Sequence, residues 1–214
     1  MNVGHYMHPD PVTALADTPL EQVRQVMEDT GFSLLLIVDE NKMLVGFITR
    51  AALKGVTDWE APVGKACFDA RFAVTPEDTV EKAALILLDN QLVLLPVVTD
   101  GRLVGVLSQS EILRALAHAL GIGLEGTRIT VRIPDDAQGD ALYGMLAALR
   151  ERHVDLVSLA QGGRTERHHE LILRVQGLED REGLRADLEA LLRNRNGHEE
   201  AADALTQSQN AAED

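Results

Sequence analysis

A chain of 214 residues, 45% hydrophobic and 25% charged, is long enough for one or two domains, each with a real core. A net charge of −14, with no basic patch and no interleaved aromatics, argues against nucleic-acid binding. No apolar run reaches the roughly 18 residues of a membrane span, no basic-then-apolar leader opens the chain, and the one cysteine, Cys67, has no internal disulfide partner. The expectation is a cytoplasmic protein.

The opening Tyr6-Met7-His8-Pro9-Asp10-Pro11-Val12-Thr13 reads as extended, because two prolines forbid a helix. Thr18-Pro19-Leu20-Glu21 reads as a helix entry, with Thr18 as N-cap and Glu21 closing a capping box. Leu20, Val23, Val26 and Met27 form one apolar stripe, and Gly31 ends the helix. Strands follow at about 34–39 and 43–48, then a short helix from about Arg50 to Lys54.

A second unit begins near Val63. Phe72-Ala73-Val74-Thr75 reads as its entry strand, and Asp78-x-x-Glu81 caps a helix with Val80, Ala83, Ala84, Leu87 and Leu88 on one face. Strands at 92–98 and 102–107 flank an Asp100-Gly101 hairpin turn, and a helix runs from Ser110 to about Leu120. From residue 127 the order is βαββα. A strand lies at Arg128–Ile133, a helix bears Leu142, Met145, Leu146 and Leu149, strands at about 154–160 and 168–175 are joined by Gly162-Gly163-Arg164, and a last helix holds Leu184, Leu188, Leu191 and Leu192. Residues 194–214 are polar and acidic with no apolar stripe, so a disordered tail is expected.

One grammar occurs twice at a spacing of about 60 residues. Leu44-Val45-Gly46-Phe47-Ile48-Thr49-Arg50 is matched by Leu103-Val104-Gly105-Val106-Leu107-Ser108-Gln109, and Leu34–Asp39 by Leu94–Thr99. With the Met7-His8-Pro9-Asp10-Pro11-Val12-Thr13 opening and Leu95-Pro96-Val97-Val98, the order of these pieces resembles a tandem pair of CBS domains, the Bateman module. Residues 127–193 are similar to an ACT domain, with Pro134-Asp135, Gly139 and Ala141-Leu142 matching that family's first turn. The whole order resembles the acetoin-utilisation protein B family. The expected architecture is α+β: repeats over 1–60 and 61–122, a ferredoxin-like ACT domain over 127–193, and a tail over 194–214. The chain departs from the pattern at Ala52, where the family's nucleotide signature ends in Asp, and at Leu36, where the second copy has Pro96.

The resemblance implies a nucleotide bound by the Gly-h-h-Thr/Ser-x-x-Asp segment, hydroxyl to phosphate and acid to ribose. In the second copy Ser108 stands at a strand-to-helix junction, where free N–H groups attract an anion, and Glu111 lies one turn inside, with Gln109 between them. The same tetrapeptide is also a capping box that needs no ligand. In the first copy Thr49 and Arg50 offer only a phosphate half. Phe72, Val74 and Pro96 wall the base pocket in this reading, or are plain core. The ligand implied is an adenine nucleotide (AMP, ADP or ATP), in a non-enzymatic regulatory homodimer that reports to a partner protein. The alternative is a scaffold with vestigial nucleotide sites. In the ACT-like part, 136–139 would form an effector-binding turn. His5-x-x-His8 lacks a third metal ligand, His168-His169 point to opposite faces, and nothing in sequence activates Cys67.

Overall fold

The computed structural model describes residues 1–134 and 138–193. The acidic tail and residues 136 and 137 of the expected effector turn lie outside the described residues. The chain divides into two compact units, Met1–Ala115 and Leu116–Asp214.

The first unit holds two three-stranded sheets. One joins β2 (Thr13–Leu15), β3 (Leu34–Val38) and β4 (Leu44–Thr49), packed under α1 (Leu20–Thr30) and the short α2 (Arg50–Leu53). The other joins β1 (His8–Pro9) to β6 (Arg102–Ser108) and β5 (Leu94–Thr99), under α3 (Val80–Asp89) and α4 (Gln109–Ala119). Asp100 and Gly101 both take positive φ, 50° and 78°, as the two-residue hairpin turn requires. The hairpin ends meet between repeats. Leu44 N–H donates to the Gly101 carbonyl at 3.0 Å and Leu103 N–H to the Lys42 carbonyl at 2.8 Å, above a shared core of Leu36, Val38 and Leu103.

The leading segments are exchanged. Val3–His5 and Val63–Lys65 each form one 3-10 turn. Val3 N–H donates to the Asp78 carbonyl at 2.8 Å and Gly4 N–H to the Pro76 carbonyl at 2.9 Å, so the start of the chain sits in the second repeat's core. In return Val63 N–H reaches the Thr18 carbonyl at 2.9 Å and Gly64 N–H the Ala16 carbonyl at 2.8 Å. β1 pairs antiparallel with β6, Pro9 opposite Gly105, and Phe68 bridges Phe47 in the first repeat. A cut at residue 60 therefore separates each leader from the repeat that houses it.

The exchange changes how two helices begin. Thr18 does not cap α1; Pro19 is the N-cap and no side chain caps the helix. The free N–H groups of Leu20 and Glu21 are taken by the Ala61 and Trp59 carbonyls, both at 3.0 Å. In α3 the cap is Thr79, whose hydroxyl accepts from Lys82 N–H at 3.2 Å. Asp78 is one residue too early, and its carboxylate is occupied by Thr75 N–H and the Lys82 ammonium. Gly31, at φ 75°, ends α1 as expected. Leu88 does not join the α3 core stripe: it is 71% exposed, while Val80, Ala83 and Leu87 are buried.

In the second unit β7 (Thr127–Pro134), β9 (His168–Gln176) and β8 (Asp155–Arg164) form an antiparallel sheet in the order β7-β9-β8. Its core packs Val131, Ile133, Leu173 and Val175 against Met145 and Leu149 of α5 (Gln138–Glu151) and Leu184, Leu188 and Leu192 of α6 (Arg181–Arg193). Gly162-Gly163-Arg164 is not the connecting turn but the end of β8. The chain turns after it, where Thr165 N–H donates to the His168 carbonyl at 2.7 Å.

Candidate functional site

Two strand-to-helix junctions, one in each repeat, hold the residues singled out by sequence. At the β6–α4 junction the Glu111 carboxylate accepts from Ser108 N–H at 3.0 Å and from the Ser108 hydroxyl. That hydroxyl in turn accepts from Ser110 N–H at 3.2 Å. Both side chains are half-buried. Burial works to raise the Glu111 carboxyl, but hydrogen bonds from Ser108, with the Arg114 charge, outweigh it and hold the group below the usual carboxylate range. The capping box is thus formed. It leaves an ionised acid and a hydroxyl side by side at the N-terminus of an 11-residue helix.

The β4–α2 junction keeps half of this. Thr49 oxygen accepts from Ala52 N–H at 3.3 Å, and Ala52 brings no carboxylate. Arg50 is engaged elsewhere: its guanidinium donates to the carbonyls of Met27 at 2.7 Å and Phe32 at 2.9 Å. Gln109, at the matching place in the second repeat, donates likewise to the Leu92 carbonyl at 3.1 Å. Both side chains fasten their junction to the chain leaving the preceding helix, a shared role that the sequence reading passed over. Aligning the repeats signals it, since Arg50 pairs with Gln109 and Phe32 with Leu92.

Phe72, Val74 and Pro96 are partly together. Val74 and Pro96 are buried, and Val74 N–H donates to the Pro96 carbonyl at 3.1 Å. The expected entry strand over 72–75 reduces to one parallel bridge, Val74 to Val97, whereas β2 pairs with β3 over three residues. The reason is chemical: Pro96 has no N–H for the next rung, so the carbonyl of Phe72 gets no donor from it. Phe72 is 38% exposed. Val74 also belongs to the second repeat's core, as the plain-core reading expects.

Among the described residues no group of three or more His, Cys, Asp or Glu could hold a metal ion. No described helix is long and apolar enough to cross a membrane. Cys67 is half-buried, its thiol donates to the Gly64 carbonyl at 3.5 Å, and burial pushes its pKa up, away from thiolate chemistry.

The CBS-domain family model matches residues 3–56 and 69–118. An inosine-5'-monophosphate dehydrogenase of Mycobacterium tuberculosis is 31% identical over 134 residues, 62% of this chain and 25% of that enzyme. One from Methanocaldococcus jannaschii is 29% identical over 152 residues, 70% of this chain and 30% of the enzyme. The chain thus spans a third or less of the length of these curated relatives. A CBS domain pair/ACT domain protein from Thermotoga maritima is 25% identical, with a TM-score of 0.51 over 56% of this chain and 99% of that one. An acetoin utilization protein structure from Vibrio cholerae, 24% identical, matches 57% of this chain and 94% of its own with a TM-score of 0.51, a likeness of fold. The two repeats of the first unit have the fold of a tandem pair of CBS domains.

Proposed function

We propose that this protein is a non-enzymatic regulator that senses an adenine nucleotide, AMP, ADP or ATP, at the second-repeat junction. The observation that carries the reading is the Ser108–Glu111 couple: a hydroxyl and an ionised acid share the first turn of α4, where helix N–H groups favour phosphate and a carboxylate can accept from a ribose diol. Gln109 lines the same junction, and Phe72, Val74 and Pro96 provide the apolar wall and a freed carbonyl for the base. A ligand held there would bias the arrangement of the two repeats, which is linkage in the ordinary sense.

In this reading residues 1–60 and 61–122 are the repeats, and 127–193 is an ACT-like domain with an effector of its own. The βαββα order and the β7-β9-β8 sheet support the ACT-like assignment. The working form is a homodimer that signals to a partner protein, in a setting related to acetoin use. The test is mass spectrometry of the gently purified chain for a retained nucleotide, followed by calorimetry with AMP, ADP and ATP. Absence of a retained nucleotide together with no binding at millimolar concentration overturns it.

One observation favours a second reading, a scaffold with vestigial sites. Arg50 is spent on Met27 and Phe32, and Ala52 supplies no acceptor, so the first junction keeps only the Thr49 hydroxyl of the pattern. Calorimetry separates the two readings, because a scaffold binds no adenine compound at either junction.

A further inference from the structure

The far face of the β7-β9-β8 sheet, turned away from α5 and α6, carries a cluster that the Ser108–Glu111 junction does not use. Residues directly opposite in an antiparallel pair point to the same side. Arg128 stands opposite Arg174, and Thr130 stands opposite Ile172, next along the same face. The other face is the core side, with Val131, Ile133, Leu173 and Val175.

Arg174 is only 7% exposed, yet its guanidinium is met by a neutral group, the Leu124 carbonyl at 3.0 Å. Among the described residues no carboxylate forms an ion pair with Arg128 or Arg174. Arg132, on the same face, is by contrast paired with Glu170 at 3.3 Å. Thr130 is 9% exposed, and its buried hydroxyl has no hydrogen-bond partner among the described residues.

Three costs coincide here. Like charges directly opposite on a sheet repel. A buried guanidinium without a counter-charge is expensive. A buried hydroxyl without a partner forfeits its hydrogen bond. One anion over the pair would remove all three, because guanidinium forks match carboxylate and phosphate oxygens and Thr130 could donate to the same group. The chain after α4 forms one rim of this face: the Ser158 hydroxyl donates to the Leu120 carbonyl at 2.8 Å, and Gly121 lies against Arg174 and Ser158.

We infer that Arg128, Arg174 and Thr130 form a binding site for a small anion bearing a carboxylate or phosphate group. In a chain of net charge −14 the attraction must be local, and here it is. The site stands independently of the nucleotide reading.

The test follows thermal unfolding and calorimetry of the full chain with inorganic phosphate and with acetate, against chloride at equal ionic strength. At least one of the two anions should raise the melting temperature of the unmodified chain and of Ser108→Ala. Arg128→Gln and Thr130→Val should each lose at least tenfold in anion affinity, about 1.4 kcal/mol. In chloride alone Arg128→Gln should melt higher than the unmodified chain, because the repulsion is gone. These two variants leave the Arg174–Leu124 hydrogen bond in place, so a folding defect does not confuse the result. A response to phosphate alone or to acetate alone identifies the anionic group and supports the site. The inference is overturned if neither anion binds, if the response survives in both variants, or if Ser108→Ala alone abolishes it, which would put the ion at the β6–α4 junction.

Discussion

The carbonyl oxygen of His8 lies 2.9 Å from where a Cβ on Gly105 would stand. The Phe68 carbonyl presses still closer on the matching Gly46. Each glycine of the repeated Leu-Val-Gly motif is therefore a gap through which the other repeat's leader crosses the strand. Gly46→Ala should cost about 1–3 kcal/mol, since backbone must move. Gly105→Ala should cost less, because the backbone atom it meets, the His8 carbonyl oxygen at 2.9 Å, stands farther off than the Phe68 carbonyl does at Gly46, and its other close neighbour is the flexible Met7 sulfur at 2.8 Å. Urea unfolding of the two variants checks the order.

The two caps separate expectation from structure. Thr79→Ala removes the hydroxyl that accepts from Lys82 N–H and should destabilise by about 1 kcal/mol. Thr18→Ala should change stability by less than about 0.5 kcal/mol, because no side chain caps α1. Equal melting temperatures for the two variants would contradict the assignment.

Glu111 has a pH signature. Its folded-state pKa lies below the usual Glu value of 4.5. The stabilisation is therefore complete above that value and is lost as pH falls through the lower folded value. Glu111→Gln should be less stable than the unmodified chain near neutral pH, with the gap closing under acid conditions. A gap that stays constant down to strongly acid pH would show that the carboxylate charge is irrelevant to the cap.

Arg50 should behave as a fastener. Arg50→Met forfeits hydrogen bonds to the Met27 and Phe32 carbonyls and should cost about 1 kcal/mol of stability. It should leave adenine-nucleotide affinity unchanged, as measured by calorimetry. A loss of affinity with unchanged melting temperature would return Arg50 to the phosphate role.

The junctions should be unequal. Losing one charged acceptor costs about 1.5–3 kcal/mol, or about tenfold to a hundredfold in affinity. Glu111→Ala should weaken nucleotide binding by that factor, and Ala52→Asp should add a second binding event. Because Glu111→Ala also weakens the cap, melting temperature and affinity are measured separately. Unchanged affinity in Glu111→Ala leaves Ser108 and Glu111 as a cap alone.

Much of this protein is local and is read from local chemistry. The repeat, the Asp100-Gly101 hairpin, the left-handed stop at Gly31, the stripe of Leu20, Val23 and Met27, and the Ser108–Glu111 capping box all follow from neighbouring residues obeying periodicity, φ preference or hydrogen-bond reach. Tertiary structure decided what depends on partners far along the chain. Thr18 looks like an N-cap, but the α1 N–H groups find Ala61 and Trp59, some forty residues on, because the second leader is housed in the first repeat. Leu88 continues an apolar stripe yet faces outward, since burial depends on which flank of α3 meets the sheet. Arg50 looks like a phosphate ligand until folding brings the Met27 and Phe32 carbonyls to it. The facing of Arg128 and Arg174 is a matter of strand register, which no local pattern specifies and which only the pairing of β7 with β9 sets.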